Sequence, residues 1–360
     1  MSDPSLRGRG AASNPPNRFE RLAIALDPEF VQPDPDPDAE AAPAPRTEFF
    51  RDPSRSVIVC NESPDVPFDA SINPYRGCEH GCIYCYARPT HEYLGFSAGL
   101  DFETKILVKQ EIAELLRAEL AAPRWTPKLV AIGGVTDPYQ PIERRLRLTR
   151  ACLEVFLEFR NPCSIVTKSG LVARDIDVLR ALARFDATTV YVSVTTLDPA
   201  LHRVLEPRSS APHRRLATIE ALSKAGVPVG VLVAPVIPGL TDHEIPAIVS
   251  ACARAGARVA RHLLLRLPHA VAPLFADWLE RHFPERRAKV MGRIRAVRDG
   301  RVNDPRFHSR MTGHGIFAEQ LHALFELACR RAGLAHDPPP LSTKFFRRPQ
   351  DPQLALFSSD

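Results

Sequence analysis

Apolar segments of strand length alternate with amphipathic segments of helix length along the middle of this 360-residue chain, and this alternation constrains its fold most strongly. Strands separated by helices form right-handed βαβ units and therefore a parallel sheet. Each unit has roughly 30–35 residues, which favours a partial (β/α)6, TIM-like barrel, with a doubly wound sheet as the alternative. The predicted strands lie at 69–77, 128–135, 164–169, 189–197, 227–237 and 258–267, and the predicted helices at 109–122, 144–160, 174–185, 213–226, 243–255 and 272–283.

The unusual segments of the sequence all follow or end a predicted strand. In α/β folds the carboxyl ends of parallel strands meet at one edge, and functional loops lie there. We therefore predict one functional site at that edge. Its segments are RGCEHGCIYCYARPT (76–90), GGVTDPYQP (133–141), TKS (167–169), SVTTLD (193–198) and APVIPGLTD (234–242).

The two ends of the chain differ from its middle in composition. Ten of the 35 prolines lie in the first 55 residues, interleaved with acidic residues, and a second proline-rich segment closes the chain. Such segments bury too little apolar surface to offset the entropy lost on ordering. The predicted regions are a mostly disordered N-terminal region (1–58), a core domain (59–285), a helical C-terminal appendage (286–336) and a flexible tail (337–360).

Charge is spread unevenly along the chain. Residues 1–60 carry seven Arg and ten Asp or Glu, a net charge of −3, whereas residues 281–331 carry twelve Arg or Lys and five Asp or Glu, a net charge of +7. A basic block of this kind suits a polyanionic partner such as DNA. Only seven of the 47 basic residues are lysine, however, so an arginine-rich composition accounts for the block equally well.

Nothing in the sequence predicts export or membrane insertion. No apolar run reaches the ~18–20 residues of a membrane span, and the N-terminus lacks the apolar region of a secretory signal. We expect a cytoplasmic protein with reduced thiols. Five of the eight cysteines stand apart from one another and are interpreted as packing residues: Cys60, Cys152, Cys163, Cys252 and Cys329.

The other three cysteines form a cluster in the sequence. Cys78, Cys82 and Cys85 are spaced as Cys-x3-Cys-x2-Cys, and thiolates at this spacing in a loop can converge on one metal centre. Four cysteines would close a structural zinc or iron–sulfur site. No fourth cysteine lies nearby, so the centre keeps an open coordination position. A [4Fe–4S] cluster held by three cysteines leaves one iron free to bind a substrate or cofactor.

With Tyr84, this motif resembles the Cys-x3-Cys-x-aromatic-Cys signature of the radical S-adenosylmethionine (radical SAM) superfamily. The resemblance covers about residues 70–285 and is nearest to the branch that contains spore photoproduct lyase, which repairs ultraviolet-damaged DNA. It implies a [4Fe–4S] cluster whose free iron chelates S-adenosylmethionine (SAM). One electron then cleaves SAM to methionine and a 5′-deoxyadenosyl radical, which abstracts hydrogen from a substrate. An electron donor such as flavodoxin or ferredoxin is implied as well.

The resemblance also implies contacts with SAM on the loops at the strand ends. GGVTDPYQP is similar to a Gly-Gly-Glu-type segment that binds the methionyl amino group, although no Glu follows the glycines here. Lysine and arginine are expected at the carboxylate, strand hydroxyls at the ribose, and apolar groups at the adenine. The implied contacts are Tyr84, Gly133, Gly134, Thr136, Asp137, Lys168, Ser193, Thr195, Arg208 and Ala234.

The residue that acts on the substrate is unknown from the sequence. Spore photoproduct lyase returns a hydrogen atom through a cysteine near its Gly-Gly-Glu-type segment, and the matching stretch here has none. Repair of that lesion is therefore in doubt, and Tyr139 is a candidate donor or substrate contact. Like other radical SAM proteins of this branch, the chain is expected to be a lyase-like or modifying enzyme.

The tail supplies a further expectation. Gln353–Phe357, the peptide QLALF, resembles the pentapeptide that binds the bacterial sliding clamp, whose Leu and Phe fill apolar pockets. We predict a radical SAM enzyme with DNA as its candidate substrate, acting in DNA repair or nucleic-acid modification. The alternatives are the same chemistry on RNA, a protein or a small metabolite, and a metal-stabilised DNA-binding adaptor without catalysis.

Overall fold

Short runs rich in valine, isoleucine and threonine form the strands of this protein. A computed structural model describes residues 8–19 and 45–349. The strands in these ranges are β1 (Glu48–Arg51), β2 (Val59–Cys60), β3 (Ala70–Ile72), β4 (Tyr75–Arg76), β5 (Lys105–Val108), β6 (Val130–Ile132), β7 (Cys163–Thr167), β8 (Thr188–Ser193), β9 (Val229–Val236) and β10 (Val259–Leu264).

The main sheet confirms the predicted partial (β/α)6 barrel. Its six parallel strands lie in the order β3, β6, β7, β8, β9 and β10, which is also their order in the sequence, and β2 pairs antiparallel with β3. A doubly wound sheet reverses its strand order at a switch point. Since no reversal occurs among the described strands, the doubly wound alternative is wrong. β10 pairs only with β9 in this sheet, so the barrel is open between its first and last parallel strands.

Helices connect consecutive strands and cover the outside of the sheet, as the apolar periodicity predicts. Each predicted helix has a counterpart whose ends differ by a few residues. The helices in the described ranges are α1 (Leu100–Thr104), α2 (Ile112–Ala121), α3 (Glu143–Leu146), α4 (Leu148–Phe159), α5 (Ile176–Ala183), α6 (Pro199–Leu205), α7 (Pro212–Lys224), α8 (Ile245–Arg254), α9 (Val271–His282), α10 (Pro284–Ala296), α11 (Ser309–Thr312) and α12 (Gly315–Ala332).

A second, small sheet was not predicted. In it β1 pairs in parallel with β5, and β4 pairs antiparallel with β5. Every residue of β1 is exposed, so β1 shows no alternation that would mark a strand in a sequence. The single strand predicted at 69–77 divides into β3 of the main sheet and the two-residue β4 of this one. The sheet matters for function because β4 leads directly into the segment that carries the three clustered cysteines.

Parts of the predicted disordered ends pack on the barrel. Residues 8–19 and 45–58 are described, and so is 337–349, where the Arg347 amide donates to the carbonyl of Phe159 in α4 over 2.9 Å. The rest of both ends, including the clamp-like Gln353–Phe357 peptide, lies outside the described residues.

The C-terminal appendage is helical, as predicted. Buried Leu321 and Phe325 place α12 against the barrel, where Phe325 contacts His262 of β10 with ring centroids 4.3 Å apart. In the part of the chain that the structure describes, no helix combines the length and the apolarity needed to cross a membrane.

The barrel depends on apolar contacts between its helices and strands, and Phe156 of α4 is fully buried in the largest of these clusters. We expect Phe156→Ala to lower the free energy of unfolding by about 3–5 kcal/mol, because it removes buried apolar surface and leaves a cavity. Urea unfolding measures the change. Glu154→Ala, on the exposed face of the same helix, should change it by less than about 0.5 kcal/mol.

Candidate active site

The three clustered cysteines lie on a tightly turned loop, 77–88, that follows β4. Gly77 and Gly81 have φ angles of +82° and +65°, a region that side chains other than glycine rarely adopt. A Cβ atom on Gly81 would lie 2.7 Å from the Glu103 carboxylate. Amides of the loop donate back to the carbonyls of Cys78 and Cys82, so the backbone folds around the thiol positions. We call this segment the cysteine loop.

The three thiols lie near one another, and two of them are buried while the third, Cys85, is partly buried. Cys78 and Cys82 are 7% and 9% exposed, and Cys85 packs against both of the apolar clusters to which they belong. Burial raises the pKa of all three thiols, and the Glu206 carboxylate raises that of Cys82 further. Thiolates at these positions therefore need a cation at the site, which is what the irons of a cluster provide.

The arrangement of the three thiols suits an iron–sulfur cluster rather than a single metal ion. Within residues 8–19 and 45–349, no three Cys, His, Asp or Glu side chains are arranged to hold a single metal ion. The cysteines of an iron–sulfur cluster each bind a different iron, so they are spaced more widely than the ligands of one ion. The donor set, its burial and the glycine turns fit a [4Fe–4S] cluster on Cys78, Cys82 and Cys85.

A buried ion pair supports the cysteine loop from behind. Arg88 is fully buried and donates through Nε and Nη2 to the Cys82 carbonyl over 3.1 and 2.9 Å. The same guanidinium pairs with Glu103 at 2.5 Å. Glu103 also accepts from the amides of Gly10 and Ala11, over 3.0 and 2.8 Å. With both charges satisfied, this pair fixes the Cys82 carbonyl without leaving an unpaired buried charge.

Residues 8–19, which we call the N-terminal strap, cover the cysteine loop. A Cβ atom on Gly10 would lie only 1.8 Å from the carbonyl oxygen of Gly81, so the two backbones are in direct contact. The Leu100 amide donates to the Ser13 carbonyl over 3.2 Å, and Ala11 is buried in the same apolar cluster as Cys82. The sequence did not predict that the strap packs here, because a short segment with glycines at positions 8 and 10 shows no hydrophobic periodicity.

The glycine-rich segment GGVTDPYQP packs beside the cysteine loop, as predicted. Gly133 has a φ angle of +91°, and a Cβ atom there would lie 2.5 Å from the Pro138 ring. The Gly134 carbonyl accepts from the Tyr86 hydroxyl, and the Thr136 hydroxyl donates to the Tyr75 carbonyl over 2.8 Å. The segment therefore approaches the loop through its backbone, and the hydroxyl of Thr136 is already bonded within the chain.

Asp137 joins the cysteine loop to the end of β7. Its carboxylate lies 3.3 Å from Nδ1 of His80 and accepts from the Thr167 hydroxyl and the Lys168 amide, each over 2.7 Å. His80 and Thr167 are buried, and Asp137 is partly buried. This carboxylate, predicted as a SAM contact, thus has its partners inside the protein and positions His80 and the β7 loop.

Glu206 is the centre of a buried polar group that the sequence did not reveal. It accepts from the Thr195 hydroxyl over 2.7 Å and also from the hydroxyl of Tyr84, and it pairs with Arg215. Burial alone would raise the pKa of Glu206, but Arg215, Lys168 and the Tyr84 hydroxyl more than offset it, so the pKa lies well below its usual range. Two predicted SAM contacts, Tyr84 and Thr195, therefore meet on one carboxylate.

The remaining predicted contacts lie at the same edge. The Thr195 hydroxyl also donates to the Ala234 carbonyl over 3.1 Å, and the carbonyl of buried Ser193 accepts from Arg215 over 2.9 Å. Arg208 pairs with Glu79 of the cysteine loop at 3.0 Å. These contacts tie the ends of β8 and β9 to the loop.

Lys168 differs from its neighbours because its charge is not paired in the described part of the chain. Its Nζ lies 5.9 Å from the ring centroid of Tyr84, next to the cysteine loop, and forms no hydrogen bond or ion pair with a described residue. Of the predicted contacts, Lys168 is the cation most available to an anionic group of a ligand.

Tyr139 does not face this site. It is 1% exposed within the main apolar core, and its hydroxyl donates over 3.1 Å to Asp175, which pairs with Arg174. Tyr139 is thus a packing residue rather than a substrate contact or hydrogen donor.

The Glu206–Arg215 pair makes a testable contribution to stability. We expect Glu206→Gln to lower the free energy of unfolding at pH 7 by roughly 3–5 kcal/mol, because it leaves Arg215 buried without its partner. Since the folded pKa of Glu206 is depressed, its stabilisation is complete above about pH 4.3 and is lost as the pH falls towards the folded value. The difference in the free energy of unfolding between the wild type and Glu206→Gln, measured with urea, should therefore become smaller below that pH. Glu220→Gln, on the exposed face of α7, should leave stability within about 0.5 kcal/mol.

The N-terminal strap gives a second prediction. We expect Gly10→Val to displace the strap, because its side chain overlaps the Gly81 carbonyl, and to speed amide hydrogen exchange in the cysteine loop. Gly8→Asn is the control, since a Cβ at Gly8 meets nothing within 4 Å and asparagine tolerates its positive φ. Unchanged exchange in the loop of Gly10→Val would contradict the assigned role of the strap.

Comparison with known proteins agrees with this geometry. The family model described as the radical SAM superfamily matches residues 72–252, which include the three cysteines and the ends of β3 to β9. An uncharacterised protein of Mycobacterium tuberculosis is 41% identical over 222 residues, 61% of this chain and 65% of that protein. The match thus spans less than two thirds of the relative's length.

Two further likenesses are more distant. A protein of Pseudomonas phage M6 named radical SAM Nalpha-GlyT isomerase is 25% identical over 219 residues, 60% of this chain and 44% of that protein. The structure of spore photoproduct lyase complexed with dinucleoside spore photoproduct aligns with a TM-score of 0.51, covering 80% of this chain and 81% of that one at 15% identity, which shows a shared fold. Family match, cysteine loop and barrel agree, and the chain belongs to the radical SAM superfamily, which implies a [4Fe–4S] cluster and SAM.

Proposed function

We propose that this protein is a radical SAM enzyme that modifies or repairs a nucleic acid, with DNA as its substrate. The observation that carries the proposal is the convergence of three thiols, two buried and one partly buried, in one loop, at the edge of the barrel where every other predicted contact also lies. When bound there, the cluster supplies the electron that cleaves SAM to methionine and a 5′-deoxyadenosyl radical. The protein's part is to hold the cofactor, exclude water and position the substrate.

Different residues around the cysteine loop contact different parts of SAM in this proposal. Lys168, unpaired among the described residues, binds the SAM carboxylate, and the backbone carbonyls of Gly133 and Gly134 accept from its amino group. Thr195 and Ala234, joined by a hydrogen bond, line the nucleoside side. Behind them, Glu206 orients Tyr84 and Thr195 and is a positioning residue. Ser193 and Arg208 belong to the same proposed contact set.

Three observations support a nucleic-acid substrate. Helix α10 exposes several basic side chains of the positively charged C-terminal block, including Arg286, Arg287, Lys289 and Arg295. The phage relative is named for an isomerase reaction on Nalpha-GlyT, and the solved structure with the same fold holds a dinucleoside photoproduct. These substrates belong to those proteins, and for this chain DNA is the proposal. Sliding-clamp binding and the electron donor stay predictions.

The cluster assignment is tested by single cysteine variants. We expect Cys82→Ala, after anaerobic reconstitution with iron and sulfide, to lose the absorbance of an iron–sulfur cluster and all 5′-deoxyadenosine formation. Cys252→Ala removes an equally buried thiol in α8 and should keep both. Iron and labile sulfide are counted in the same samples, and far-UV circular dichroism of those samples separates folding failure from ligand loss. A Cys82→Ala protein that retains a full cluster would refute the assignment.

The substrate proposal needs its own experiment. Formation of 5′-deoxyadenosine is measured in the reduced, reconstituted protein with SAM alone and with added DNA, RNA or an unrelated protein. We expect DNA to stimulate the reaction most and to acquire a mass change. Stimulation by RNA or protein alone would favour the corresponding alternative, and a stable protein with zinc and no SAM cleavage would identify an adaptor.

A further inference from the structure

Arginines from the C-terminal part of the chain line the open side of the barrel. Arg266 follows β10, and its guanidinium carbon lies 5.4 Å from the ring centroid of Tyr86, the residue directly after Cys85. Arg310 of α11 pairs with Asp65 and bonds Ser63, both in the segment between β2 and β3. Side chains next to the last parallel strand thus reach residues next to the first, beside the cysteine loop.

Arg266 carries a charge without an acidic partner in the described part of the chain. It forms no salt bridge there, its nearest polar contact is the Met311 sulfur at 3.8 Å from Nη1, and its buried Nε has no hydrogen-bond partner. Burial and the nearby Arg310 both lower the pKa of Arg266, which means that they destabilise its charged form. A half-buried guanidinium in this state is stabilised by any anion that reaches it.

The surroundings add positive charge. Arg298 is fully buried, donates to the carbonyls of Ser309 and Leu265 over 2.9 Å each, and also has a buried Nε without a partner. Of the nearby carboxylates, Asp65 is committed to Arg310, and Asp304 bonds Arg306 and the Ser309 hydroxyl. The basic groups at this opening therefore outnumber the acidic groups among the residues that the structure describes.

The chemistry of these side chains defines the ligand. A guanidinium offers a planar fork of donors that matches the oxygens of a phosphate. Beside it, the Tyr86 ring is 48% exposed, and exposed aromatic rings stack on the bases of single-stranded nucleic acids. Tyr86 also donates to the Gly134 carbonyl, so its ring is fixed against the glycine-rich segment.

We propose that Arg266 and Tyr86, supported by Arg310, form a phosphodiester-binding site that holds a nucleic-acid strand at the open side of the barrel. The inference rests on the proposed nucleic-acid substrate and names the residues that would bind it. A phosphate on Arg266 places the adjoining nucleotide next to Tyr86 and therefore next to the cysteine loop. The strand enters between the first and last parallel strands, where no strand pairing blocks it.

The test is the affinity of the full, reconstituted chain for a fluorescein-labelled single-stranded DNA, measured by anisotropy over a series of salt concentrations. We expect Arg266→Gln to weaken binding roughly tenfold or more, the effect of losing a hydrogen-bonded charge. The slope of log affinity against log salt should fall in magnitude by about 0.7, the value for one phosphate contact on a single strand. Arg266→Lys keeps the charge but not the planar fork of donors, so its affinity for the DNA should lie between those of the wild type and Arg266→Gln.

Arg254→Gln is the matched control, because this arginine is on α8, on the outside of the barrel, and bonds only Ser250 among the described residues. It should bind DNA as the wild type does. Thermal unfolding of each variant reports on folding separately.

Three results would overturn the site. If Arg266→Gln binds with wild-type affinity and salt dependence, the site is wrong, while the proposed function stands on the wild type's binding and DNA-stimulated SAM cleavage. If inorganic phosphate displaces the oligonucleotide from wild type as efficiently as unlabelled strand does, the ligand is a free phosphate rather than a strand. Failure of the wild type to bind DNA at all would instead count against the nucleic-acid function itself, and the site would fall with it.

Discussion

Three thiols in one loop, two of them buried and the third partly buried, are the constraint around which this end of the molecule is organised. Thiolates in a low-dielectric environment are unfavourable unless positive charge accompanies them, so the loop is built for a metal group. Two buried ion pairs lie nearby, Arg88 with Glu103 and Glu206 with Arg215. Those pairs hold carbonyls and hydroxyls in place around the cysteine loop while the barrel supplies a rigid base.

The sequence predicts the six parallel strands and their helices because each buries a continuous apolar face, and burial leaves a periodic pattern. Strand β1 leaves no such pattern because it is exposed, and the strand predicted at 69–77 hides a division into β3 and β4, which join different sheets. The cysteine spacing predicts the loop because ligands of one cluster must be close in sequence. Glu206 could not be found in this way, since its partner Tyr84 is 122 residues away and only the fold brings them together.

The predicted contact residues illustrate the same limit. The motifs place them at the correct edge of the sheet, but not with the correct partners. Asp137 meets His80, and Arg208 meets Glu79, in both cases a residue of the cysteine loop. A motif fixes which residues lie near a site. Whether a charged side chain faces a ligand or a neighbour depends on the charges of other segments, which no single motif contains.

The strap has a consequence for how the protein is made. Its amides bond a carboxylate that follows them by 93 and 92 residues, so the strap leaves the ribosome well before the surface that receives it. At about 5–20 residues per second, that interval is roughly 5–20 s. During it the thiol-bearing segment is synthesised before the strap can cover it, because the Glu103 carboxylate that receives the strap lies further along the chain.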